Sequence, residues 1–143
     1  MIFLDANVLL RTFVQPDSPQ TRRFSQIAAE LLRQAESGEV EVTTSDAVLA
    51  EVAFILTAKA HANLPVPVAA GFIASVVQLR GFHHGEKRTI LSALEFWTER
   101  PRLGFVDALT AAYAQSPGMQ LATFDTDFAG LPGIDRWLPG EAG

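Results

Sequence analysis

The 143-residue sequence contains no cysteine. That excludes disulfides, thiolate metal sites and cysteine nucleophiles together. No apolar run reaches the roughly 18 residues of a membrane span, and the N-terminus lacks the basic region, apolar stretch and small-residue cleavage site of a secretory leader. The expectation is a soluble, cytoplasmic protein with no membrane association. Charged residues are sparse, at 19%, and the balance is −5, so the basic excess of a typical nucleic-acid binder is missing. Attraction for a nucleic acid must then be local. Divalent cations held by the chain's own carboxylates would reverse the sign of the field where they sit.

Apolar residues are abundant, at 48% of the chain. A chain of this length builds one real core, so a single domain over residues 1–143 is expected, and no internal repeat or low-complexity tract divides it. Residues 2–4 form a short apolar run suited to a buried strand, and a helical pattern follows over 8–13. Ser18, ahead of Pro19, caps a helix that stops near Gly38. Residues 39–44, EVEVTT, alternate and are β-branched, which predicts a second strand. Ser45 and Asp46 offer N-cap chemistry to a helix over 47–62, and a further apolar helix covers 68–79. A short strand at 82–84, helices over 89–99 and 105–115, a strand at 120–124 and a brief one at 134–137 complete the pattern. Strands alternating with helices predict an α/β fold with three layers, α/β/α, around a central, mostly parallel sheet of four to five strands.

Acidic residues stand where such a sheet binds ligands, outside the carboxyl ends of its strands. Asp5 follows the apolar run IFL, and Asp125 follows LATF, with Asp127 close behind. On a helical wheel with Val48 at zero, Val52 lies at about 40°, Ile55 at about 340° and Glu51 at about 300°. Glu51 thus borders an apolar arc and calls for a partner. Asp107 lies in the first turn of its helix, with the small residues Thr110, Ala111 and Ala114 on its face. Taken singly, Asp5 reads equally well as a helix cap, Asp107 as a complement to a helix dipole, and Asp125 and Asp127 as turn residues. Gathered at one rim, four carboxylates need a countercharge. Oxygen ligands suit Mg²⁺ or Mn²⁺, and such a site activates water for phosphodiester hydrolysis without a cysteine, histidine or serine nucleophile.

Four segments, FLDANVLL, SDAVLAEVAFIL, GFVDALTAAYA and LATFDTDF, follow one another in order and are spaced across nearly the whole chain, from residue 3 to residue 128. With them the sequence resembles the PIN domain family, and more closely the VapC-type toxins of bacterial VapBC toxin–antitoxin pairs. The resemblance implies a single PIN domain acting as a metal-dependent endoribonuclease, with Mg²⁺ or Mn²⁺ held by Asp5, Glu51, Asp107 and Asp125. Asn7, Thr123 and Asp127 fall on supporting polar positions, where Asn7 and Thr123 hold the carboxylates in place and Asp127 either supports or binds the ion. It also implies a VapB-like antitoxin that covers the site, a homodimer and a toxin–antitoxin hetero-oligomer.

The apolar stripe Phe72, Ile73, Val76, Val77 and Leu79 reads either as a dimer surface or as core. Arg11, Arg80, Lys87, Arg88, Arg100 and Arg102 read as guides for RNA phosphates or, taken one by one, as a solvated surface. His83 and His84 match no site position of the family and have no acidic motif beside them beyond Glu86. Two other functions share part of the pattern. A nuclease acting on DNA or structured nucleic acid would keep the acids, but no insertion long enough for an arch or clamp is present. A non-catalytic acidic signalling or binding domain would keep a strand-end aspartate, yet Asp5 has no adjacent acid and no lysine follows Lys87.

Overall fold

In the computed structural model, residues 1–137 are described. The end of the expected domain, residues 138–143, lies outside them. The chain forms two compact units, one spanning Met1–Lys87 and the other beginning at Arg88.

The first unit carries β1 (Ile2–Phe3), α1 (Ala6–Phe13), α2 (Pro19–Ser37), β2 (Val42–Thr43), α3 (Asp46–Thr57) and α4 (Val66–Val77). β1 and β2 pair in parallel, with Ile2 opposite Val42 and Phe3 opposite Thr43. Val42 is also bridged in parallel to Phe82, donating to the Gly81 carbonyl at 2.8 Å and accepting from the His83 amide at 2.9 Å. Leu4, Leu9, Val42, Leu49, Val52, Leu56, Ile73, Val77 and Phe82 are buried.

The second unit carries α5 (Lys87–Glu99, whose first residue closes the first unit), a 3₁₀ turn at Pro101–Leu103, α6 (Phe105–Ala114), β3 (Leu121–Ala122), a 3₁₀ turn at Thr126–Phe128 and β4 (Arg136–Trp137). β3 and β4 pair in parallel. Trp97 of α5 meets Phe105 of α6 edge-on, with ring centroids 5.5 Å apart. Ile90, Ala93, Leu94, Ala108 and Ala111 of the same two helices are buried.

The α/β class and the parallel pairing follow the sequence pattern, but the expected sheet of four to five strands does not appear among the described residues. Their sheets are two-stranded, and local bonding shortens two of the expected strands. The amides of Glu39 and Val40 bond back to the Gln34 carbonyl at the end of α2, at 2.9 and 3.4 Å, which shortens the strand expected over 39–44. Past Ala122, the Asp125 amide donates to Thr123 Oγ1 at 3.0 Å, turning the chain out of its strand. The strand expected at 82–84 is reduced to the bridge at Phe82.

Helix starts follow their caps. Ser18 accepts from the Thr21 amide in a capping box with Pro19 behind it, and Gly38 closes α2 in the left-handed region at φ 82°. α3 stops at Thr57, short of residue 62, because the amides of Ala62 and Leu64 fold back to the carbonyls of Ile55 and Leu56. In the stripe on α4, Ile73, Val76 and Val77 are buried, and Phe72 packs its ring 4.7 Å from that of Phe13. Ile73, Val76 and Val77 are thus core, while Phe72 and Leu79 stay part-exposed. Among the described residues no helix is long and apolar enough to cross a membrane.

Candidate functional site

In the first unit, β1 ends at Phe3 and delivers Asp5 to the start of α1. Asp5 is the N-cap: its Oδ1 accepts from the Ala6 amide at 2.8 Å, with φ −84° and ψ 160°. The side chain is exposed, so the cap and the acid are the same group. Asn7 is also exposed, in the first turn of α1. It lines a groove of about 340 Å³ between α1 and α2 with Val8, Arg11, Phe24, Ile27 and Leu31.

Glu51 lies on α3 and faces solvent. The buried residues of that helix are Leu49, Val52, Ala53 and Leu56. Their arc is centred at about 90° on the wheel used above, so Glu51 stands about 150° away from it. Its neighbours on the open side, Ala47 and Phe54, are exposed as well. The expectation that Glu51 borders the apolar arc is therefore corrected, because Val48 lies at the arc's edge rather than at its centre.

In the second unit, Asp107 lies in the first turn of α6, half-buried. Its carboxyl is pushed above the usual aspartate range, first by burial and then by the negative charges of Asp125 and Asp127. Asp107 thus senses two other carboxylates of this unit. Two of them are held by a pair of consecutive turns. Thr123 Oγ1 accepts from the Asp125 amide at 3.0 Å, and Asp125 Oδ1 accepts from the Asp127 amide at 2.9 Å. Thr123 therefore fixes the backbone under Asp125 rather than its carboxylate. Phe124, immediately before Asp125, is 97% exposed.

Two features of the first unit escaped sequence reasoning. Thr44, buried at the end of β2, donates its hydroxyl to the Leu4 carbonyl at 2.7 Å. A threonine in a β-branched run reads simply as a strand former, so nothing in the sequence marks it. The other is His84, whose Nε2 lies 2.9 Å from Asp46 Oδ1 while its Nδ1 accepts from the Glu86 amide at 2.9 Å. His83 Nε2 stands 3.5 Å from Glu41 Oε1. Both acids lie far from the histidines in sequence, which hides the pairing.

A model of the PIN domain matches residues 2–134. The chain belongs to the PIN domain family. No curated protein matched it. PIN domains have a three-layer α/β fold and are generally nucleases that use divalent metal ions. Among the described residues, no three histidine or acidic side chains stand grouped so as to hold an ion. The donor chemistry fits one nonetheless. All the acids of this PIN domain named above offer hard carboxylate oxygens, and the mutual repulsion felt at Asp107 is the condition that a divalent cation relieves.

Proposed function

We propose that this PIN domain, taken as one domain over residues 1–143, is a cytoplasmic, metal-dependent endoribonuclease acting as the VapC-type toxin of a type II toxin–antitoxin pair. The observation that carries the reading is the PIN domain match over residues 2–134, in a family that is generally nucleolytic, and the raised carboxyl of half-buried Asp107 agrees with it. Asp5, Glu51, Asp107 and Asp125 are the residues that would hold Mg²⁺ or Mn²⁺. When bound, the ion lowers the pKa of water and stabilises the charge that develops on phosphate oxygens. Glu51, which faces solvent on α3, would accept the proton of an attacking water. Asn7 and Asp127 support these acids by their place beside Asp5 and Asp125. Thr123 supports them through the backbone bond described above.

Two surface features support single-stranded RNA and an antitoxin as partners. Phe124 offers an open aromatic face next to Asp125, on which an unpaired base can stack. The groove between α1 and α2 exposes Phe24 at 46% and Ile27 at 57%, with Arg11 in its lining. An apolar segment bearing a carboxylate, as a VapB-like tail would be, complements it in shape and charge. The homodimer belongs to this reading too.

The test is cleavage of matched RNA and DNA by the purified chain, with and without Mn²⁺. Metal-dependent cleavage of RNA, lost in Asp107→Asn, is expected. Equal cleavage of DNA would move the assignment to a general nuclease, and cleavage or binding indifferent to metal would favour a non-catalytic module.

A further inference from the structure

The end of β2 carries a device that bears on Asp5. Thr44 is the one buried polar side chain among the described residues, 3% exposed. A valine would fill the same volume and suit the apolar strand, whereas a buried hydroxyl is costly unless it is bonded. It is bonded, to the carbonyl of Leu4, 2.7 Å away and 40 residues distant in sequence.

The place of that bond matters. The parallel ladder runs from the Ile2 amide to Glu41 O and from the Leu4 amide to Thr43 O, both at 2.8 Å. Its next rung would take the Ser45 amide to the Leu4 carbonyl. That rung is not made among the described residues, because both chains leave the sheet here. Asp5 becomes the N-cap of α1, and Ser45 becomes the N-cap of α3. The Thr44 hydroxyl replaces the missing rung. Leu4, itself 1% exposed, is therefore held on both its amide and its carbonyl. The peptide plane between Leu4 and Asp5 is fixed from the Leu4 side, and the Ala6 amide fixes the Asp5 carboxylate from the other.

We infer that Thr44 is a positioning residue: its hydroxyl sets the aim of the Asp5 carboxylate by locking the Leu4–Asp5 peptide. The inference rests on the reading of Asp5 as a metal ligand. It assigns no contact with substrate or ion to Thr44. Partners that orient ligands in this indirect way typically change metal affinity by about 10- to 100-fold when removed.

The experiment compares the full chain with Thr44→Val, Thr44→Ser and Asp5→Asn, at a temperature well below every unfolding midpoint. Amide exchange at Ala6 is followed by NMR without metal, and Mn²⁺ binding by calorimetry. Thr44→Val should speed Ala6 exchange by about tenfold and weaken Mn²⁺ by at least about tenfold, while Thr44→Ser stays close to the parent in both. A Thr44→Val chain that keeps parental Ala6 exchange and Mn²⁺ affinity overturns the inference. If Asp5→Asn weakens Mn²⁺ and Thr44→Val does not, the inference fails and the metal reading stands. If Asp5→Asn binds Mn²⁺ like the parent, the metal reading fails and the inference with it. Should Thr44→Val not fold, Thr44→Ser decides. Weakened Mn²⁺ binding in that variant, at parental stability, would assign the effect to the lost methyl group and overturn the role of the hydroxyl.

Discussion

Asp5 commits one carboxylate oxygen to the Ala6 amide and so has a stabilising role that is separable from any chemistry. Asparagine caps a helix about as well as aspartate. Asp5→Asn should therefore change stability by less than about 0.5 kcal/mol, whereas Asp5→Ala should lose about 1 kcal/mol, both read by urea unfolding. An asparagine variant as unstable as the alanine one would mean that the charge, not the cap, matters to folding. Asp107 makes a pH prediction. Its folded-state carboxyl titrates above its ordinary value of 3.8, because burial and the charges of Asp125 and Asp127 disfavour ionisation. The folded state thus holds this proton more tightly than the unfolded state does. Ionised Asp107 costs stability above its raised folded value, and that cost disappears as pH falls through the raised value to the ordinary one. In metal-free buffer the parent should gain on Asp107→Asn over that fall, as read by thermal unfolding. A parent that loses ground to the variant would reverse the sign. The acids were legible in the sequence because each interrupts or ends an apolar run. Thr44 was not, since its hydroxyl acquires meaning only from a carbonyl 40 residues away.

Helices are the elements that the sequence specifies best, since their ends depend on neighbours a few residues away. Ser18 with Pro19, Ser45, and Gly38 mark their boundaries as expected. Strands are shorter than their sequence pattern predicts because the bonds from Glu39 and Val40 to Gln34 and from Asp125 to Thr123 compete with the ladder. The bridge to Phe82 depends on Gly81, where an added Cβ would lie 2.2 Å from the Val40 carbonyl and 2.9 Å from that of Ala35. Backbone atoms on both sides leave it no room. Gly81→Ala should cost about 3 kcal/mol, as overpacking of a tight site does, and amide protection at Val42 and His83 should fall with it. At the start of α2, Ser18→Ala should cost about 1 kcal/mol by loss of its capping bond. A change of a few tenths would show that Thr21 alone sustains that turn.

For the molecule as a whole, charge is the guide to how a nucleic acid is met. Eleven lysines and arginines stand against 16 acids, so binding by counterion release involves few phosphates. Affinity for RNA should therefore fall only shallowly with added salt and depend steeply on the divalent ion. The match to the PIN domain over residues 2–134 spans parts of both compact units. The order of the acidic segments made the family legible from sequence, while the sheet of four to five strands was an extrapolation from alternation that the described backbone does not form. The most direct test of the central claim is the rate at which the purified chain cuts RNA in Mn²⁺, set beside Asp5→Asn in the same buffer. The parent should cleave only with the metal present, and the asparagine variant, folded and capped like the parent, should not cleave at all. An Asp5→Asn chain that cuts RNA as fast as the parent would contradict the account.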